Sequence, residues 1–119
     1  MEFKGIGKVF DLTNERQFET IGQFWDEMAE QYGLENLQGL GYHWQGNEIS
    51  YAIGFKSGDI PNWNVCISLP EDGWLTVQGK TEQLKALYDE IYQGGRITYE
   101  IETFCENGSC QIHYWRRHK

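Results

Sequence analysis

The chain has 119 residues, with 18 acidic against 10 basic side chains and a net charge of −8. One domain, 1–119, accounts for that length and can withdraw roughly two thirds of the unfolded chain's surface from water. The acidic balance argues against any role that rests on clustered basic side chains gripping phosphate. No apolar stretch reaches the ~18 residues a membrane span needs, and the opening MEFKGIGK lacks the apolar segment of a secretory signal. A cytoplasmic chain with no direct nucleic-acid or membrane partner is expected.

Phe3 to Leu12 is rich in β-forming residues and carries Gly5 and Gly7, so it reads as an opening strand. Thr13-Asn14 offers a helix cap. Beyond it Phe18, Ile21, Trp25, Met28 and Tyr32 recur at spacings of three and four, which puts them on one face of a helix that stops at Gly33. Leu40 to Phe55 holds Gly46-Asn47 between two alternating runs and predicts a hairpin. After a loop at Ser57 to Pro61, strands are expected at Trp63 to Leu69 and Trp74 to Gly79. Thr81 then caps a second helix bearing Leu84, Leu87, Tyr88 and Ile91, which ends at Gly94-Gly95, and a hairpin from Ile97 to Trp115 closes the chain.

Strand, helix and hairpin therefore occur twice. A short internal match, Phe24-Trp25-Asp26-Glu27 against Leu87-Tyr88-Asp89-Glu90, sits at the same place in both helices. The pattern predicts an α+β fold: a duplicated β-α-β-β unit whose antiparallel sheet carries both helices on one face and a concave cleft on the other.

Cys66, Cys105 and Cys110 show no CxxC spacing and form no zinc-like pattern with His43, His113 or His118, so neither a metal nor another cofactor is expected. A two-residue Asn107-Gly108 turn would set Cys105 directly opposite Cys110, as two thiols in a reducing compartment. It would also set Phe104 opposite Gln111, Glu102 opposite His113 and Glu100 opposite Trp115, six side chains on one face. Tyr99, Ile101, Thr103, Cys105, Cys110, Ile112 and Tyr114 would then meet the helices. In the first hairpin the same exercise puts Leu40, Tyr42, Trp44, Ile49, Tyr51, Ile53 and Phe55 under the helices. Gly41, His43, Ser50, Ala52 and Gly54 fall on the open side.

Two readings of the acidic face stand side by side. It is either a solvated sheet surface, the ordinary fate of alternating polar residues, or one wall of a cleft whose other wall is made roomy by glycine and alanine. A cleft lined by Glu and Trp suits a flat organic cation, through the quadrupole of the rings and the charge of the carboxylate. On that reading Glu100 is the countercharge, Trp115 and Phe104 stack, Glu102 and His113 tune the potential, and Gly54 belongs to the half that leaves space. Asp26/Glu27 and Asp89/Glu90 read as solvated helix faces. Arg116 to Lys119 reads as a short basic terminus.

The order of elements resembles the GyrI-like or AraC-type effector-binding domain family. Ile67-Ser68-Leu69-Pro70 precedes Trp74-Leu75-Thr76-Val77-Gln78-Gly79, and Tyr99-Glu100-Ile101-Glu102 comes late. With no helix-turn-helix segment beside the domain, the chain is most similar to the short stand-alone members, including integron-cassette proteins that bind cationic drugs. The resemblance implies a pseudo-twofold sheet that binds lipophilic cations without catalysis, for transcriptional regulation or drug sequestration. The family's buried Glu carries over onto Glu100, whereas Glu102 stands where the family often has a second aromatic. A DNA-binding or other protein partner and a homodimer are compatible with it. Two alternatives remain at this stage: an acidic interaction module that inhibits a nucleic-acid enzyme, and a small hydrolase using Glu100 and Glu102.

Overall fold

A computed structural model of the chain describes residues 1–11 and 17–117, with backbone alone at 17–19 and 45. The expected Thr13-Asn14 cap, the Phe18 side chain and the His118-Lys119 end lie outside the described residues. In order the elements are β1 (Glu2–Asp11), α1 (Gln17–Tyr32), β2 (Leu37–Gln45), β3 (Glu48–Phe55), β4 (Val65–Ser68), β5 (Leu75–Lys80), α2 (Leu84–Gln93), β6 (Tyr99–Phe104) and β7 (Ser109–Trp115). The seven strands form one antiparallel sheet in the order β4-β1-β3-β2-β6-β7-β5. No helix among the described residues is long and apolar enough to cross a membrane.

Periodicity places the helices as expected. Trp25 and Met28 are buried, with Ile21 and Tyr32 packed beside them, and α1 meets Leu37, Tyr51, Ile53 and Phe104 on the sheet. From α2, Tyr88 and Ile91 pack on Ile97 and Ile112. Thr81 opens a short 3-10 turn, Thr81–Gln83, that leads into α2. Residues paired across neighbouring strands share a face, so these contacts put both helices on the same side of the sheet.

The duplication is visible in the strand order. β1-α1-β2-β3 gives β1-β3-β2, β5-α2-β6-β7 gives β5-β7-β6, and the halves join through β2 and β6, where Gly39 faces Glu102, Leu40 faces Ile101 and Gly41 faces Glu100. A pseudo-twofold axis between Leu40 and Ile101 therefore makes Gly39 and Gly41 the counterparts of Glu100 and Glu102. β4 stands outside the repeat and extends the sheet from β1.

Two details of register overturn the expected faces. The first hairpin starts in the expected register, with Gln45 opposite Glu48, but a bulge at His43, whose φ is 50°, shifts the rest until Tyr42 faces Ser50 and Gly39 faces Ile53. Leu40 and Tyr42 consequently lie on the side away from the helices, while Gly39 and Gly41 lie beneath them. In the second hairpin the loop is three residues, Glu106-Asn107-Gly108. The Cys105 N–H donates to the Ser109 carbonyl at 2.9 Å, and Gly108 adopts φ 88°.

That extra loop residue slips β7 by one position against β6. β7 keeps its expected face, with Cys110, Ile112 and Tyr114 toward the helices, while β6 is reversed: Glu100, Glu102 and Phe104 turn toward the helices, and Tyr99, Ile101 and Thr103, expected beneath them, turn away. Glu100 faces Tyr114 rather than Trp115, Glu102 faces Ile112 rather than His113, and Phe104 faces Cys110 rather than Gln111. Cys105 pairs with Ser109 and not with Cys110, and all three cysteines are free thiols.

The far face is not an open cleft. Phe3, Leu40, Tyr42, Ala52 and Ile101 form a second core there, closed by Leu69 and Trp74 from the β4–β5 connection. The Trp74 indole N–H donates to the Pro70 carbonyl at 2.8 Å and holds that connection in place.

Candidate functional site

Strand alternation along Tyr99-Glu100-Ile101-Glu102-Thr103-Phe104 aims Glu100, Glu102 and Phe104 at the helices. Both carboxylates are only 5% exposed. Burying a carboxylate is expensive unless something replaces its water, so the partners of each decide what the site can do.

Glu102 is provided for. The Trp25 indole N–H donates to the Tyr51 hydroxyl at 2.8 Å, and that hydroxyl donates in turn to Glu102 Oε1. Two helix and strand aromatics thus end in a charge-stabilising hydrogen bond, and Gly39 makes the space: a methyl group there would run into the Tyr51 hydroxyl and stand 2.6 Å from the Trp25 ring.

Glu100 is not provided for in the same way. Its Oε2 is buried without a hydrogen-bond partner, as is the hydroxyl of Tyr88 from α2. Burial pushes the Glu100 carboxyl well above the usual carboxylate range, and the neighbouring Glu102 charge pushes it further; the nearby Tyr88 hydroxyl acts in the opposite direction without closing a hydrogen bond. Burial also raises Glu102, but the Tyr51 and Tyr88 hydroxyls oppose that rise. The pair is therefore asymmetric, with Glu102 the readier anion. No ion pair reaches either carboxylate among the described residues.

Both carboxylates open onto a cavity of about 860 Å³ between α1 and α2. Trp25, Ile21, Trp44, Leu84 and Tyr88 give it largely apolar, aromatic walls, and at Gly22, where even a methyl group would meet nothing within 4 Å, the α1 side stays open. Tyr88 and Tyr92 stack at 5.8 Å between ring centroids along α2. Phe104 meets Trp25 edge-on at 4.8 Å, closing the floor beside Glu102. Asp26, Arg96 and Glu106 also border the cavity.

Of the residues singled out from sequence, Glu100, Glu102 and Phe104 come together here. Trp115, His113 and Gly54 do not. Trp115 lies on the far face, opposite Tyr99, and its indole N–H donates to the Asp72 carbonyl at 3.0 Å. His113 faces Ile101 on that same side, with Nδ1 at 2.8 Å from the Thr76 hydroxyl. Gly54 sits against the β1 backbone, where a side chain would strike the Lys4 carbonyl; its role is close strand packing, away from the cavity. The cleft itself is on the helix side of the sheet, not the opposite side.

Trp25, Tyr51, Trp44 and Tyr88 escape the sequence reading because their spacing marks them as core. A signal was nevertheless present: buried Trp and Tyr carry polar tips that need partners, and a sheet face bearing two Glu is where such tips are of use.

No protein-family model and no curated protein matches the chain. Among solved structures, that of SAV2435 bound to tetraphenylphosphonium is similar, with a TM-score of 0.65 over 96% of this chain and 87% of that one, at 16% sequence identity. The likeness is one of fold, and it agrees with the α+β sheet and paired helices described above.

Proposed function

We propose that the chain binds lipophilic aromatic cations in the cavity between α1 and α2, without transforming them. The observation that carries this reading is Glu100: a carboxyl buried to 5% exposure at the base of an aromatic cavity, with one oxygen unpartnered. A cation arriving there would supply the countercharge the protein withholds, in a partly dry site where that attraction exceeds its value in water. Each ring it meets would add about 0.5 to 2 kcal/mol of cation–π attraction, depending on desolvation.

The division of labour follows from the hydrogen bonds. Glu102, held by Tyr51 and Trp25, sets the negative potential of the site, and Glu100 is the group that meets the ligand. Few polar groups in a largely apolar cavity favour breadth over tight selectivity among such cations. The fold shared with a protein bound to tetraphenylphosphonium, a cation of this class, supports the reading. So does the resemblance to GyrI-like effector-binding domains, which would make the chain a sensing or sequestering module.

Quenching of Trp25 and Trp44 fluorescence by tetraphenylphosphonium tests the proposal. Saturable binding at micromolar concentration that is lost in Glu100→Gln, with the ligand recovered unchanged after incubation, is the expected result. Equal binding by the variant would remove Glu100 from the site, and chemical conversion of the ligand would favour a hydrolase.

A further inference from the structure

We propose that the empty site holds a proton on its carboxyl pair and exchanges it for the incoming cation. The inference rests on the cation-binding reading above and adds how that binding is regulated. Glu100 and Glu102 are two apart on one strand face, so their Cα atoms are about 7 Å apart, and both side chains are buried. Two carboxylates so placed and so buried cannot both ionise cheaply unless a positive charge joins them.

Among the described residues the surroundings supply no such charge. β2 contributes only Gly39 and Gly41 opposite the pair. β3 contributes the Tyr51 hydroxyl, already committed to Glu102. From α2 come Tyr88 and Tyr92, and from β7 Cys110 and Tyr114, all neutral. α1 brings Asp26 to the cavity and the hairpin loop brings Glu106, both of the wrong sign. Among the described residues the one cation bordering the cavity is Arg96, which is exposed and makes no ion pair with either carboxylate. Neither His43, exposed on the β2 bulge, nor His113, on the far face, is placed to accept the proton.

Glu100 is the carboxyl that keeps the proton, because Glu102 has the better hydrogen bond to its charged form. On binding, the Glu100 O–H bond breaks, its electron pair stays on the oxygen, the resulting carboxylate forms an ion pair with the cation, and the proton passes to solvent. Charge inside the cavity is thereby conserved. The cavity then favours cations at alkaline pH and discharges them as the pH falls.

Calorimetric titration of the wild-type chain with tetraphenylphosphonium, in two buffers of different ionisation enthalpy and across mildly acidic to mildly alkaline pH, tests this. Affinity should rise about tenfold per pH unit while the pair is protonated and level off above, with up to one proton released per cation. Infrared difference spectra should lose the protonated-carboxyl C=O band on addition of the cation. Glu100→Gln, if folded by circular dichroism, should release no proton in whatever binding remains; the infrared result on wild type stands independently of that variant. Binding with pH-independent affinity, buffer-independent heat and no infrared change would overturn the exchange while leaving cation binding intact. Absence of binding at every pH would overturn the binding reading and the exchange with it.

Discussion

Gly41 lies directly across the β2–β6 pair from Glu100, and a methyl group at position 41 would stand 2.7 Å from Glu100 Oε1. Under the pseudo-twofold axis Gly41 is the counterpart of Glu102, so one repeat supplies carboxylates and the other supplies the room they occupy.

Gly41→Ala should therefore act on binding more than on the fold. The carboxyl can swing away, so a stability loss of about 1 to 3 kcal/mol is expected from the overpacking. Displacing Glu100 should weaken tetraphenylphosphonium binding well beyond the effect of that loss. Urea unfolding and a fluorescence titration on the same preparation separate the two effects; an unchanged dissociation constant would mean that the Glu100 position does not matter.

Tyr51→Phe removes the middle of the Trp25–Tyr51–Glu102 chain. It leaves the indole N–H without its acceptor and Glu102 without its donor, at a cost of about 1 to 3 kcal/mol for each buried group left unsatisfied. Glu102 should then hold its proton to higher pH, because the bond that favoured its charged form is gone. Denaturant midpoints against pH for both proteins measure this, and superimposable curves would show the chain to be inconsequential.

The carboxyl pair should also leave its mark on wild-type stability. Both groups have folded pKa values raised by burial, so the unfolded chain gives up their protons first. As pH climbs from the ordinary glutamate range through the raised folded values, the native state binds more protons than the unfolded state. Stability from these groups then falls, by at most about 1.4 kcal/mol per pH unit for each proton. Glu100→Gln should flatten that decline and make the empty protein more stable at neutral pH while impairing cation binding. A variant that declines as steeply as wild type would contradict the assignment.

Most of the architecture is legible in the chain. The helical spacings of Ile21, Trp25, Met28 and Tyr32, the glycine stops and the internal repeat lead to the observed elements and to a duplicated β-α-β-β sheet. Faces are harder to read than elements, since a strand's side-chain period of two turns a single inserted residue into a full reversal. The bulge at His43 and the third loop residue at Glu106 each do this, and nothing in their composition distinguishes them from a regular two-residue hairpin. Glu100, Glu102 and Phe104 were recognisable because they share one strand. Trp115 and His113 do lie away from the helices as expected, but the third loop residue turns Glu100, Glu102 and Phe104 to the other side and so parts the two groups. The Trp25–Tyr51–Glu102 chain joins three separate elements and becomes visible only once the sheet is assembled.

The corrected register has its own test. Trp115→Phe loses the hydrogen bond to the Asp72 carbonyl and a small amount of packing beside Tyr99, whose ring centroid is 5.9 Å away. Its expected cost is about 0.5 to 1.5 kcal/mol of stability. Tetraphenylphosphonium affinity should stay within about twofold of wild type, a difference well under 1 kcal/mol. A loss of binding comparable to that of Glu100→Gln would return Trp115 to the cavity and contradict the three-residue loop.

On the proposed function, charge and not shape alone governs entry into the cavity. The most direct test compares tetraphenylphosphonium with tetraphenylborate, an anion of nearly the same shape, by calorimetry in sodium buffer against wild type and Glu100→Gln. Saturable binding of the phosphonium by wild type, a large loss in the variant, and no measurable binding of the borate by wild type are expected. Equal binding of the two ions, or a phosphonium affinity indifferent to Glu100→Gln, would show that the cavity recognises only a greasy tetrahedron and that its buried carboxylates serve another purpose.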